Sequence, residues 1–558
     1  MTLKESIKKY ALQNAVQFEG KANPGAVIGK LLAEDPKLKS KMQDVAKEVN
    51  MIIKEINSLS LEEQQEQVKN YKFTKKKIVK KEGLPALKNP KKVVMRMAPS
   101  PSGPMHLGHA YPLSLNSEYC RKYKGKFILR IEDTNPENIY EPAYGMIPEE
   151  AKWLTKDNVK EVIIQSDRVG LYYDYAEQLV NAGAAYVCEC APDQFRELIF
   201  DKKACPDRDL SIKEQQKRYA NMFSSYKPGE AVLRLKTDIQ HKNPAMRDFP
   251  LMRINEHPHP RTKTEHRVWP LMNLSVVVDD IELGMTHIVR AKDHMDNAKR
   301  QEYIYKYLKK PIPETVFVGK INFTDLKLSA SKTKEAIQEK KFEDWSDIRL
   351  PFLAALKRRG YQPDAFIKYA LDVGVSQNDK SVSKEEFFKA LNHFNKEVLD
   401  SVSNRYFFII NPKEITVQGA PNQDVELDLH PDYPKKGKRK FKVQDKFYIA
   451  EEDFKAIKEN ELIRLMDCLN FIKKGNKFIF DSLEYEKYKA KGKKIIHWLP
   501  KGESLVQASL LMPDKTLING IAEKDIKTLK KGDIVQFERV GFVRLDDKKK
   551  LVFWYGHR

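Results

Sequence analysis

His106 and His109, separated by Leu107 and Gly108, follow the run Pro99-Ser100-Pro101-Ser102-Gly103-Pro104-Met105 in this 558-residue chain. Imidazoles at i and i+3 share one helical face, from which both can donate to one phosphate. Gly108 has no side chain, so a flat group such as a base could approach the backbone there. The apolar run Val93 to Ala98 predicts a short buried strand before the turn. Helix-compatible residues from Ala110 predict a helix after it. Strand, tight turn and helix N-terminus form an anion site, because unpaired N–H groups and the helix dipole face the ligand. A bare histidine pair is more often a surface or metal-binding pair; the strand and turn before this one favour nucleotide.

Other segments carry chemistry at compatible places. Arg130-Ile131-Glu132-Asp133-Thr134-Asn135-Pro136 puts two carboxylates at the end of a strand, Phe127 to Ile131, where a parallel α/β sheet binds its ligands. Ile288-Val289-Arg290 reads as a further strand ending in a cation. Arg290 could serve a substrate carboxylate or close a structural ion pair with Asp279 or Asp280. Leu326-Lys327-Leu328-Ser329-Ala330-Ser331-Lys332-Thr333 is a short Ser/Lys loop before a helix. Cys188, Cys190 and Cys205, with Asp207, make a possible zinc set, although three thiolates and a carboxylate is uncommon. His257 and His259 read as loop residues rather than ligands.

Chemistry at these positions needs elements to hold it. The strand–helix alternation from Val93, with Val162-Ile163-Ile164 as a third strand, predicts a parallel sheet flanked by helices. Residues from about 186 to 265 break that rhythm as an insertion would, and Leu274 to Val278 reads as a strand where the sheet resumes. Before residue 90 the spacing of Val45, Val49, Ile52, Ile53 and Ile56 is helical, followed by a basic linker. Periodicity from 336 to 400 is helical again. Beyond Arg405, short strands such as Tyr406 to Ile410 and the alternation in Val535 to Val543 predict one or two barrels.

Net charge is +22, with lysines clustered at Lys75–Lys77, Lys80–Lys81, Lys91–Lys92, Lys435–Lys442 and Lys548–Lys550. One such run is a solvated face; several, one with Phe441 inside it, favour a nucleic-acid partner. No run approaches the roughly 18 apolar residues of a membrane span, and no signal-peptide core is evident. Five unevenly spaced cysteines argue for a reducing compartment, the cytoplasm, over a disulfide framework.

The string Arg96-Met-Ala-Pro-Ser-Pro-Ser-Gly with His106-Leu-Gly-His109 resembles the HIGH signature of class I aminoacyl-tRNA synthetases, in the glutamyl/glutaminyl branch. Leu326 to Thr333 resembles a divergent KMSKS loop, with Ala330 where the second lysine usually stands. Tyr406 to Pro412, Leu429-His430-Pro431 and Gln536-Phe537-Glu538-Arg539 resemble the anticodon-binding β-barrels of archaeal and eukaryotic glutamyl enzymes and of glutaminyl enzymes. With the N-terminal extension, the resemblance points to the archaeal glutamyl type. The resemblance implies a multidomain α/β fold: a helical extension (1–90), a Rossmann-like catalytic domain (91–185 and 266–335) and an inserted acceptor-stem domain (186–265). A helical connector (336–404) and all-β anticodon-binding barrels (405–558) complete it.

By the same resemblance His106, His109 and Lys332 are the catalytic residues. Pro99, Ser100, Gly108, Asp293 and Ser331 would join them in binding ATP. Arg96, Ser100, Glu132 and Arg290 would hold the amino acid, Glu132 taking its ammonium group and Arg290 the γ-carboxylate of glutamate. Met272 stands where a tyrosine commonly contacts the substrate side chain. Relatives place a fourth Cys or His near Asp207, which leaves a structural zinc on Cys188, Cys190 and Cys205 open. The implied activity is ATP-dependent, Mg²⁺-assisted ligation of L-glutamate to tRNA(Glu), with tRNA(Gln) as a possible second acceptor, by a monomer. A glutaminyl enzyme, a small-molecule nucleotidyltransferase and a non-catalytic tRNA-binding paralogue are the alternatives.

Overall fold

The computed structural model describes residues 2–18, 20–71, 83–502 and 505–558. The lysines at 75–77 and 80–81 lie outside the described residues. Two compact units divide the chain, Met1–Glu82 and Gly83–Arg558.

In the first unit the helical reading holds. Helices Leu3–Gln17, Pro24–Glu34, Met42–Asn57 and Leu61–Val68 surround a small apolar core. Val45, Val49, Ile52, Ile53 and Ile56 are all buried in it, as their period requires. Thr2 and Ser60 cap two of the helices with reciprocal backbone bonds.

The second unit begins with a doubly wound sheet. Strands β1 (Val94–Met97), β2 (Lys126–Ile131) and β3 (Val159–Ile164) pair in parallel in the order β3-β2-β1. On the other side of β1 lies β4 (His287–Ala291), tied there by Thr286 N–H donating to the Val94 carbonyl (3.0 Å). β5 (Glu314–Val318) pairs in parallel with β4. The strand order therefore reverses between β1 and β4, and ligands of such sheets bind at the carboxyl ends around that reversal. Helix α1 (Leu107–Lys122) follows β1.

An antiparallel four-stranded sheet, Ala185–Cys188, Val232–Leu235, Pro250–Ile254 and Val268–Pro270, interrupts the parallel fold between β3 and β4. The sequence expectation at Leu274–Val278 fails here: these residues belong to helix α2 (Met272–Glu282). Asn273 through Asp280 are all buried. With every face covered, the apolar run carries no helical period, and its three valines imitate a strand.

Two seven-stranded sheets form most of the C-terminal part. In one, the outermost strands are Arg405–Tyr406 and Phe408–Ile410, with only Phe407 between them. In the other the outermost strands are Lys494–Ile496 and Leu499–Pro500, joined by His497 and Trp498. In each sheet one bent segment of chain therefore supplies both outermost strands, so each sheet is nearly a barrel. The Lys435–Lys442 run is not uniformly solvated. On strand Lys438–Val443 every second residue points inward, and Arg439 is buried with Glu523 and Glu538 (2.6 Å).

Helix α3 (Met295–Tyr307) follows β4, and α4 (Ala330–Gln338) follows the Ser/Lys loop. The short α5 (Leu353–Arg358) joins the first barrel to the sheet. At its start, Pro351 O accepts from Leu107 N–H (3.1 Å), and Leu353 N–H donates to Met105 O (2.9 Å). At its end, Arg358 grips Asp546 with two bonds (2.9 and 2.6 Å), and Arg359 donates to Gly556 O (2.8 Å).

Candidate active site

A cavity of 760 Å³ opens at the carboxyl ends of β1, β2, β4 and β5. Pro99, Ser100, His106, Gly108 and His109 line it from the turn after β1. Arg96, Glu132 and Arg290 line it from the ends of β1, β2 and β4. These eight residues, drawn together from the sequence alone, share one hollow.

The histidines are held in a defined state. His106 is the N-cap of α1, and its Nδ1 accepts from Gly108 N–H (3.0 Å). His109 Nδ1 accepts from His106 N–H (3.2 Å). A nitrogen that accepts a backbone N–H carries no proton, so each neutral ring bears its proton on Nε2. Burial lowers the His106 pKa to about 4. Burial, then the neighbouring His106, takes His109 to about 3. The rings lie 4.1 Å apart. They are a pair of neutral Nε2–H donors at a helix N-terminus.

Gly108 lines the cavity, and a second constraint holds it as glycine. A Cβ there would fall 2.9 Å from His106 Cε1 and 3.0 Å from its Nδ1. The glycine makes room for the folded-back imidazole itself. Beneath the turn, the buried Glu150 accepts from Met105 N–H (2.7 Å). Burial pushes its carboxyl up to about 8, opposed by the Met105 and Ala354 amides.

One end of the cavity is a cluster of charges. Asp280 takes two bonds from Arg96 (2.6 and 2.9 Å) and one from Arg130 (2.6 Å). Burial works against the Asp280 charge, and the two guanidinium groups outweigh it, so its pKa is lowered. Asp279 takes Arg168 (2.7 Å), Gln165 (2.8 Å) and the Tyr172 hydroxyl. Arg130 also holds Glu132 (2.8 Å). Both aspartates that could have neutralised Arg290 are thus bonded to other arginines. Arg290 donates to the neutral Gln301 Oε1 (3.0 Å), and among the described residues no carboxylate lies within ion-pair distance of it. Burial, then the positive Arg96, pulls its pKa down to about 10, so it stays charged at pH 7. Four arginines face three carboxylates, and the excess positive charge resides on Arg290.

Several expectations shift. Asp133 does not face the cavity. It is buried under Tyr144 (2.6 Å) and Ser166 N–H (2.8 Å), leaving Glu132 as the one carboxylate of that pair at the cavity. His259 lies, as expected, in the connection between strands Pro250–Ile254 and Val268–Pro270, where it is buried, bonded to the Asp133 carbonyl (3.1 Å) and stacked on Trp269. Asp293 lies outside the cavity lining, paired with Lys320, and Lys320 at the end of β5 lines the cavity instead. Ser331 and Lys332 stand exposed in the first turn of α4, whose N-cap is Ser329, while Leu326 and Leu328 of that loop reach the cavity. Ala330 lies against the glycine turn, where a Cβ on Gly103 would come 2.8 Å from its Cβ. The position is small because the loop rests on the signature turn. Lys320, Gln301 and Glu150 had no local sequence signal; tertiary pairing alone exposes them.

Away from the cavity, Cys188, Cys190, Cys205 and Asp207 bring their ligand atoms within 4.8 Å of one another. Cys190 Sγ to Cys205 Sγ is 3.3 Å, Cys205 to Cys188 3.6 Å, and Cys205 to Asp207 Oδ2 3.6 Å. A tetrahedron built on zinc–sulfur bonds of about 2.3 Å has edges of about 3.8 Å, so the donor set fits the ion. Asp207 is oriented by Arg218 (2.8 Å) and Glu189 N–H (2.8 Å).

Comparison with known proteins places this geometry. Residues 92–401 match the catalytic domain of the class I tRNA synthetases (E and Q), and 403–486 and 495–546 match the two anticodon-binding domains of the same group. The chain belongs to this family of class I synthetases. It is similar to the glutamate–tRNA ligase of Methanobrevibacter smithii, at 43% identity over 100% of both chains. Those of Methanocaldococcus jannaschii and Pyrococcus furiosus are each 41% identical, again over 100% of both chains.

Proposed function

We propose that this chain is a glutamate–tRNA ligase. The observation that carries the reading is the uncompensated Arg290 in a cavity that also presents the two histidine Nε2–H donors. Glutamate brings two carboxylates and one ammonium, a net charge of −1, and cancels the site's excess of one positive charge. Glutamine is neutral overall and leaves that charge buried and unpaired, which is costly.

Glu132 receives the ammonium group, and Arg290 the γ-carboxylate. The α-carboxylate then attacks the α-phosphate of ATP in line, breaking its bond to the β-phosphate bridging oxygen. Glutamyl-adenylate forms and pyrophosphate leaves. Nε2–H of His106 and His109 donates to phosphate oxygens as charge redistributes, with no enzyme nucleophile. Lys332, Ser331 and Lys320 supply positive charge and hydrogen bonds at the pyrophosphate end. Pro99, Ser100 and Gly108 line the nucleotide's path, and Mg²⁺ accompanies ATP. A hydroxyl of the terminal tRNA adenosine then attacks the adenylate carbonyl, releasing AMP.

The zinc set Cys188, Cys190, Cys205 and Asp207 is read as structural, and the enzyme as a cytoplasmic monomer whose five free thiols suit a reducing compartment. The test is pyrophosphate exchange with glutamate and with glutamine, each with and without tRNA(Glu) and tRNA(Gln). Glutamate-dependent exchange supports the reading and shows which tRNA serves. Exchange with glutamine alone, or none under any condition, overturns it.

A further inference from the structure

Arg290 is held on its protein side by a neutral group, and that choice has consequences for selectivity. Gln301 sits on α3, 4% exposed, with its Oε1 accepting from Arg290 Nη1 (3.0 Å). Its amide nitrogen in turn donates to Asn273 Oδ1 on α2 (3.4 Å), and Asn273 is also buried. The Asn273 acceptor fixes the amide orientation, so that oxygen rather than nitrogen meets the guanidinium. Every other arginine of the cluster, Arg96, Arg130 and Arg168, meets a carboxylate. Arg290 is the exception: its protein-side partner is the neutral Gln301.

We propose that Gln301 is a specificity-determining positioning residue: by orienting Arg290 through a neutral acceptor, it reserves the guanidinium charge for an anionic substrate side chain. A hydrophobic residue there would leave Arg290 charged but unoriented. A carboxylate would orient it and cancel its charge, so the substrate carboxylate would meet a neutral pair with an anion just behind it. The two substitutions therefore separate orientation from charge. The proposal rests on the reading of Arg290 as the side-chain anchor.

The experiment compares Gln301→Glu, Gln301→Met and Arg290→Leu with the native chain, in pyrophosphate exchange with the cognate tRNA present. Glutamate KM, ATP KM and kcat/KM for glutamate against glutamine are measured, with thermal unfolding as the check on folding. Gln301→Glu should raise the glutamate KM tenfold or more, leave the ATP KM within twofold, and cut the glutamate preference at least tenfold. Gln301→Met should raise the glutamate KM several-fold while largely keeping the preference. If Arg290→Leu leaves the preference intact, the anchor reading itself fails. If Arg290→Leu abolishes it while a folded Gln301→Glu matches the native chain, or matches Gln301→Met in preference, this proposal alone fails. Should Gln301→Glu not fold, an unchanged glutamate KM in Gln301→Met overturns it.

Discussion

Gly108→Ala separates the stability of the signature turn from its chemistry. The added Cβ would lie 2.9 Å from His106 Cε1 and 3.0 Å from Nδ1, closer than a packed carbon tolerates. The nearby obstacle is the end of a side chain, so the imidazole yields and the backbone stays. Alanine at this position in the first turn of α1 should itself favour the helix, by up to about 1 kcal/mol. Once displaced, His106 loses the Gly108 amide that fixes its tautomer, and with it the aim of Nε2–H at the phosphate. A hydrogen bond to a charged group is worth about 1.5–3 kcal/mol, which corresponds to a roughly 10- to 150-fold slower adenylation step. Single-turnover pyrophosphate formation and thermal unfolding are measured on the same preparation. The lost bond from Gly108 N–H to the His106 cap costs about 0.5–2 kcal/mol and offsets alanine's gain, so the expected pattern is a slower rate with a Tm changed by only a few degrees. A native rate, or a rate that falls only with the folded fraction, refutes the argument.

Further expectations rest on the same geometry. His109→Ala should slow adenylation more than Lys332→Ala, because His109 lines the cavity and Lys332 is exposed; the reverse order in single-turnover rates would relocate the phosphate contact. The histidine pKa values of about 4 and about 3 lie below the ordinary 6.5, so the unfolded chain binds more protons at acidic pH. Stability from keeping the pair neutral is present above pH 6.5 and is lost as pH falls toward 4 and 3. About 2 kcal/mol per histidine should disappear between pH 7 and 5, and His109→Asn should remove its share in urea unfolding at the two pH values. Purified protein should carry one zinc per chain by elemental analysis, with Cys205→Ser reducing it; metal-free native protein of unchanged Tm would dismiss the zinc reading.

What could be read from the sequence was whatever a short window contains. The strand, glycine turn and paired histidines lie within sixteen residues, and the two further arginine-bearing strands, those of Arg130 and Arg290, are apolar runs of ordinary length. The charge accounting around them was not legible. Arg96 and Asp280 are 184 positions apart, and Arg130 and Asp280 are 150 apart. Asp279 and Asp280 could be named as rival partners for Arg290, yet no local pattern says that Arg96, Arg130 and Arg168 claim them first. The helix that carries them was misread because its burial on all sides erases amphipathicity. Lys332 kept its helix-start position, but its exposure and the reach of Lys320 into the cavity depend on how β5 and the loop after it fold over the turn.

The fixed tautomers of His106 and His109 bear on reversibility. In the proposed mechanism both rings enter the reaction neutral and leave it neutral, since neither surrenders a proton to the departing pyrophosphate or takes one from the attacking carboxylate. The donors that receive charge in adenylate synthesis are therefore already in place, in the same protonation state, for pyrophosphate to attack the adenylate. By microscopic reversibility the site serves both directions without being reset. The resynthesis of ATP from bound adenylate is thus a built-in competitor of transfer to tRNA, and net ligation depends on removal of pyrophosphate or prompt arrival of the acceptor end.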